Sequence, residues 1–118
     1  MVVQQYSMQI TRLYTGDDNQ THIEWIAVED HPELADPRSA TSIFFRVTPP
    51  GHFLDWHCAP RRQYVITLEG EVEIGLGDGT THRFGAGHVT LADDLTGQGH
   101  TTRVVGNQSR ITATVPID

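Results

Sequence analysis

The sequence predicts an all-β fold, a sandwich or barrel built from about nine or ten short strands. Three observations lead to this prediction. Short apolar or alternating segments follow one another along the chain, glycine-rich turns separate them, and no helical stripe exceeds about two turns. The 118 residues, 37% of them hydrophobic, suffice for one core and leave no room for a second. We therefore expect a single all-β domain over 1–118.

The strands can be placed from the turn residues between them. Steps such as Gly-Asp and Gly-Asn end several segments, and Pro49-Pro50-Gly51 cannot continue a hydrogen-bonded ladder. Between 29 and 39, two prolines and several acids predict a loop or at most one helical turn. The predicted strands are 8–14, 21–28, 42–48, 53–57, 63–68, 72–76, 80–84, 88–92, 100–105 and 110–115.

Charge and cysteine content exclude several classes of function. The formal net charge is -7, from 15 acidic residues against 8 basic ones, all of them arginine. Non-specific nucleic-acid binding and polybasic membrane anchoring both need a positive surface, so we expect neither nucleic acid nor membrane as a partner. The N-terminal residues lack a signal-peptide pattern, and no apolar run approaches roughly 20 residues, which predicts a cytoplasmic protein. A single cysteine rules out an internal disulfide framework and a Cys-rich zinc site, whereas seven histidines leave a histidine-based metal site open.

Two motifs in the second half of the chain carry a family resemblance. The first has a glycine, a histidine six residues later, a polar side chain and a turn glycine, which are Gly51, His57, Gln63 and Gly70. The second runs from Gly87 to His100. Together they resemble the motifs of the cupin superfamily over roughly residues 40–115. The resemblance implies a small single-domain, RmlC-like cupin, whose double-stranded β-helix is a jelly-roll barrel. It also implies a homodimer, and one of the N-terminal strands in 8–28 could form the interface by adding to a neighbouring chain's sheet.

The resemblance further implies a divalent metal, Fe, Mn, Ni or Zn, bound inside the barrel. Carried over residue by residue, it makes His57 and His100 metal ligands and Gln63 a third. The motif is depleted, because Ala59 stands where the family has a second histidine and Gln63 where it has a glutamate. His52 is a candidate replacement. Its odd spacing of five residues from His57 points it to the opposite face of a regular strand, so a turn or bulge would be needed.

The segment 55–64 concentrates side chains that commonly bind small molecules. Trp56 and Tyr64 offer stacking surfaces for a substrate, and Arg61 or Arg62 could clamp a carboxylate through two parallel hydrogen bonds. The alternative is that both aromatic residues belong to the core or a dimer interface, and that the arginines pair with nearby aspartates. Both interpretations stay open at this stage.

Two acids precede His100, and four further histidines lie outside the motifs. Asp93 and Asp94 either act as acid–base groups beside His100 or form the turn before it. The remaining histidines are expected at the surface, and they are His22, His31, His82 and His88.

The sequence thus supports two hypotheses of function, both with a small-molecule ligand. In the first, the protein is a metal-dependent enzyme, a dioxygenase, isomerase or lyase, acting on a small acidic organic substrate. In the second, it is a non-catalytic ligand-binding or sensing cupin that has lost its metal. A structural role is a third alternative, which a collapsed barrel interior would favour.

Overall fold

The computed structural model describes residues 9–117 and confirms the all-β prediction. Ten strands are separated by short turns except for the longer connection between the second and third, and their bounds are β1 Gln9–Thr15, β2 Thr21–Ala27, β3 Phe44–Thr48, β4 Phe53–His57, β5 Gln63–Glu69, β6 Glu71–Gly75, β7 Thr81–Phe84, β8 Val89–Asp93, β9 His100–Val105 and β10 Arg110–Pro116. Each matches a predicted strand to within about two residues, as expected of boundary placement. Met8, predicted to begin the first strand, lies outside the described residues.

The segment predicted as a loop or one helical turn forms two short 3₁₀ helices, Val28–Asp30 and Pro32–Ala35. Pro32 begins the second helix, where its missing N–H costs nothing. No residue of either helix is buried, so the two helices lie on the surface and do not contribute to the core. Within 9–117, no helix is long and apolar enough to cross a membrane.

The strands form two sheets that face each other. The six-stranded sheet has the order β2-β1-β8-β5-β10-β3, and the four-stranded sheet has the order β4-β9-β6-β7. Among the described strands, all neighbouring pairs are antiparallel except β1 and β8. Inward-facing side chains from both sheets pack into a buried cluster that consists of Leu13, Val72, Ile74, Leu76 and Phe84. Closure of two sheets over one core is the layered arrangement expected of a jelly roll.

The edges of the larger sheet bear on the predicted homodimer. β1 pairs with both β2 and β8, so it has no free edge for a neighbouring chain, whereas β2 is an edge strand. β3 forms the opposite edge and exposes two apolar side chains, Phe45 and Val47, to 67% and 66%. An exposed edge of this kind favours pairing between chains. The homodimer stays a prediction.

A bulge in β4 decides which of its side chains face the inside of the barrel. Leu54 pairs with Thr102 and His57 pairs with His100, so three steps along β4 oppose two steps along β9. The extra residue shifts the alternation of side chains by one position. Residues on both sides of the bulge can therefore point to the same face.

Candidate functional site

A cavity of about 460 Å³ lies between the two sheets. Its apolar lining includes Leu13, Leu54, Val72, Ile74 and Val104. Threonine hydroxyls, histidines and arginines complete the lining. This volume and this mixture of apolar walls with a few polar groups are typical of small-molecule sites. The barrel interior is therefore open rather than collapsed.

His57 and His100 stand side by side at one end of this cavity. They are direct cross-strand partners on β4 and β9, and their ring centroids are 4.5 Å apart. His57 is half-buried, and His100 is 6% exposed. Two imidazoles thus meet across the strand pair, as the motif offsets predicted.

Asp94 holds the ring of His100 in place through a hydrogen bond to Nδ1. The His100 Nδ1–H donates to Asp94 Oδ2 over 2.6 Å, and the hydroxyl of Thr21 donates to the same oxygen over 2.7 Å. The Asp94 carboxylate is fully buried, and its Oδ1 has no hydrogen-bond partner among residues 9–117. A buried carboxylate bound to Nδ1 selects the tautomer whose Nε2 lone pair is free. The candidate acid–base role of Asp94 is thus matched by direct contact with His100.

The ring of His57 is held by the backbone instead. Its Nδ1–H donates to the carbonyl oxygen of Asp55 over 2.7 Å, which again leaves Nε2 as the accepting nitrogen. Gly99 packs against the other side of this residue at a φ of +79°. A Cβ at position 99 would overlap the carbonyl oxygen of His57. Glycine is therefore required here for β9 to approach β4 closely enough to pair the two histidines.

Gln63 lies in the same cavity and is buried, at 9% exposure. Its Oε1 accepts a hydrogen bond of 3.3 Å from the guanidinium of Arg61. The three residues expected as metal ligands thus line the same cavity, with His57 and His100 on the four-stranded sheet and Gln63 on the six-stranded sheet that faces it.

The four side chains expected to bind substrate do not line this cavity. They are Trp56, Arg61, Arg62 and Tyr64. Trp56 is 43% exposed, and Tyr64 lies on the face of β5 opposite to Gln63 and Val65. Arg62 forms an ion pair with Asp93 at 3.3 Å. Their predicted role in binding stays a prediction, and within this cavity other residues would have to perform it.

Comparison with solved structures shows the same barrel. A Klebsiella pneumoniae protein described as having a double-stranded beta-helix domain aligns with 69% of this chain and 75% of its own, at 22% identity and a TM-score of 0.51. A conserved Streptococcus pyogenes protein of unknown function aligns with 70% of this chain and 68% of its own, at 21% identity and 0.50. This chain has the cupin fold. An RmlC-like cupin protein from Desulfovibrio desulfuricans aligns with 92% of this chain and 81% of its own, at 17% identity and a TM-score of 0.46. No protein-family model matches the sequence, and no curated protein does so either.

The bulge in β4 places His52 in the same cupin cavity as His57. A regular strand would have pointed it to the opposite face, and the extra residue between Leu54 and His57 reverses that alternation. His52 is exposed and lies at the far end of β4 from the histidine pair. It therefore lines the cavity without joining the cluster of expected ligands.

The donor set of this cavity does not fit a divalent metal. Within residues 9–117, no group of three or more His, Cys, Asp or Glu side chains is arranged to hold a metal ion. His57 and His100 supply two imidazoles, and Gln63 supplies a neutral oxygen that already accepts from Arg61. Asp94 is hydrogen-bonded to Nδ1 of His100 and does not line the cavity. A dication would thus meet no charge compensation inside the cavity.

Two arginines that the motif did not indicate line the cavity, and they are Arg46 on β3 and Arg110 on β10. No aspartate or glutamate lines it in the described part of the chain. The signal that could have found them is strand parity, because Arg110, Thr112 and Thr114 alternate along β10 and all three face inward. The cavity of a protein with a net charge of -7 therefore carries cationic side chains and no anionic ones.

Proposed function

We propose that this cupin binds a small organic molecule between its two sheets and exchanges a proton with it through His100. The corresponding reaction classes are isomerisation and elimination. The buried hydrogen bond between Asp94 and His100 at 2.6 Å carries the proposal. The cytoplasmic location expected from the sequence stays a prediction.

His100 is suited to act as the base. Its Nδ1 proton is committed to Asp94, so Nε2 has a lone pair and no partner among residues 9–117. When Nε2 accepts a proton, the resulting imidazolium lies beside a buried carboxylate, which stabilises the positive charge. His57 is held by a neutral carbonyl, so it lacks this compensation and is better suited to hydrogen-bond the ligand.

The proton balance is simple for a carbonyl compound. Nε2 of His100 takes the proton from the carbon next to the carbonyl, and the electron pair of that C–H bond remains on the ligand as an enolate. The proton then returns to a different carbon or to the other face, or the enolate pair forms a C=C bond while a leaving group on the next carbon departs with its own bonding pair. No oxidant or reductant is required. The dioxygenase alternative depends on a metal and is not proposed, because the donor set does not fit one.

A second candidate function is ligand binding without turnover. The open, largely apolar cavity favours it, since a cavity of about 460 Å³ can hold a ligand whether or not chemistry follows. The two functions differ in one observable, which is exchange between ligand carbon-bound hydrogen and solvent.

The test uses a panel of small aldehydes, ketones and oxo acids dissolved in D₂O with the protein. Proton NMR follows both binding and the loss of carbon-bound hydrogen signals. We expect at least one compound to exchange, and we expect His100→Gln to abolish that exchange while His82→Gln retains it. Binding in the cavity without exchange would support the second function. The absence of binding by every compound would contradict both.

A further inference from the structure

We propose that the ligand carries a carboxylate, which Arg110 and Arg46 hold at the end of the cavity opposite to His57 and His100. This inference rests on the proposed function, because it names the class of molecule that the same cavity binds. It replaces Arg61 and Arg62, which do not line the cavity, with two arginines that do.

Arg110 is a partly buried cation without an anionic partner. Its Nε and one terminal nitrogen donate to the hydroxyl of Thr67, over 3.3 and 3.0 Å, and it forms no ion pair with a carboxylate among residues 9–117. Burial lowers the pKa of Arg110 to about 10, so it remains protonated at neutral pH. An unpaired charge in such a place costs free energy that an incoming carboxylate would recover.

The charge of Arg110 also acts on its surroundings. Burial, and after it the charge of Arg110, lower the pKa of His88. His88 is therefore favoured in its neutral form. A neutral imidazole neither adds to the positive charge of Arg110 nor balances it. Within the described residues, no anionic side chain lining the cavity balances the positive charge at this end of the barrel, so a ligand would have to supply the negative charge.

Arg46 is a second cavity-lining arginine on the neighbouring strand, and its guanidinium lies 5.8 Å from the centroid of the Phe44 ring. Residues 46 and 112 are cross-strand partners on β3 and β10, two positions along from the pair of Thr48 and Arg110. Arg46 is exposed, lines the cavity and forms no ion pair with a carboxylate in the described part of the chain. Each guanidinium presents parallel N–H donors that suit the planar, two-oxygen geometry of a carboxylate.

The arginines and the histidine pair lie at opposite ends of the barrel. Thr48, opposite Arg110, leads into the turn where His52 N–H donates to Pro49 and Val104 N–H donates to His52. The arginine end is therefore next to Val104, near the end of β9, whereas His100 begins β9. At a rise of about 3.3 Å per residue, these two positions of β9 are about 13 Å apart.

The separation of the two ends and the residues between them indicate the length and polarity of the ligand. Ile74 lies between the two ends as the partner of Thr102, Leu13 and Val72 add apolar lining, and the span along β9 is about 13 Å at about 3.3 Å per residue. A carboxylic acid with a short hydrocarbon chain and a second polar group, such as a carbonyl, would occupy both ends at once. Its carbonyl would then lie beside Nε2 of His100.

The experiment compares matched pairs of probes, linear oxo acids of four to eight carbons and their primary amides. Calorimetry measures each dissociation constant in a buffer free of carboxylates and phosphate, and ¹H–¹⁵N spectra localise binding to the cavity. We expect at least one acid to bind at least tenfold more tightly than its amide. We expect Arg110→Gln to remove that preference, and the exposed Arg46→Gln to reduce it, so that a folding defect at position 110 does not decide the outcome. Arg103→Gln is the matched control, since Arg103 is exposed, packs over Phe53 and does not line the cavity.

Two results would overturn the inference. If an acid and its amide bind the cavity equally, or if both arginine variants keep the preference for the acid, the carboxylate site is wrong while the proposed function stands. If neither acids nor amides bind in the cavity, the inference fails and the proposed function is contradicted with it.

Discussion

The imidazole of His100 and the carboxylate of Asp94 form a hydrogen bond of 2.6 Å, and their side chains are only 8% and 0% exposed. Burial on this scale keeps water from competing for either group, so the ring is held in one orientation. The hydroxyl of Thr21 on β2 donates to the same carboxylate oxygen. A side chain from the first hairpin of the chain therefore helps to position a base that lies in its C-terminal half.

Replacing Asp94 should separate catalysis from binding. Asp94→Asn keeps the shape of the side chain but removes the charge that stabilises the His100 imidazolium. We expect hydrogen exchange of a bound carbonyl compound to slow by about 10²-fold or more, the usual range for general acid–base catalysis, while its dissociation constant changes only a few-fold. Asp93→Asn is the matched control, because Asp93 pairs with Arg12 and Arg62 instead. An unchanged exchange rate in Asp94→Asn would show that the carboxylate does not act through His100.

Replacing Gly99 should disturb the histidine pair through the backbone. Gly99 and Gly106 have nearly the same positive φ, +79° and +80°, but a Cβ at 99 would overlap His57, whereas at 106 nothing lies within 4 Å. Gly106→Ala should therefore cost only the conformational strain, about 1–2 kcal/mol of unfolding free energy. Gly99→Ala should cost clearly more and shift the NMR signals of both His57 and His100. Urea denaturation of the two variants measures the difference, and equal losses would contradict the close packing of β9 against β4.

His88 should make stability fall on mild acidification. Its ring stacks on Phe84 with centroids 4.0 Å apart and contacts the hydroxyl of Thr11, so it is half-buried rather than at the surface as the sequence suggested. Burial, and then Arg110, lower its pKa in the folded protein. The unfolded chain therefore binds the proton first as the pH falls below about 6.5, and the stability that neutral His88 contributes above that pH is lost progressively below it.

The pH effect can be measured by urea denaturation at pH 7.5 and pH 5.5. We expect His88→Gln to lose less stability between the two conditions than the unmodified protein does. His82→Gln is the control, since His82 lies on β7 with its ring against the hydroxyl of Thr80. An identical loss in the unmodified protein and in His88→Gln would show that this histidine does not set the acid response.

Metal content should be well below one equivalent in protein purified without a histidine tag. The reason is the donor set, two imidazoles and a neutral amide in a cavity that also contains Arg46 and Arg110. Mass spectrometry of iron, manganese, nickel and zinc measures this directly. Near-stoichiometric metal that is lost in both His57→Ala and His100→Ala would contradict this account and restore the metal-dependent hypothesis.

The strands and two of the site histidines could be predicted because they depend on local patterns. Turn glycines and alternating segments determine where strands begin and end, and the cupin motif offsets located His57 and His100. Their side chains meet because the two positions are cross-strand partners, which the offsets express indirectly.

The rest of the site depends on features that the sequence pattern does not contain. The face on which His52 lies is decided by a bulge in β4, and no residue type in 53–57 announces it. The sequence leaves Asp94 open between a turn and an acid–base role, because its burial depends on the packing of β2 against the rest of the sheet. Arg61 and Arg62 are close to the motif in sequence, yet the chain leaves the strand after His57 and re-enters one only at Gln63. Strand parity therefore fails across this gap.

The protonation of the two ring nitrogens of His100 tests the central claim most directly. Long-range ¹H–¹⁵N correlation spectra distinguish a protonated nitrogen from a bare one in a single histidine ring. The account predicts that Nδ1 carries the proton in the free protein, that Nε2 is bare, and that the Nε2 signal moves when an oxo acid binds in the cavity. A proton on Nε2 with Nδ1 bare, or an Nε2 signal that ignores a bound acid, would contradict it.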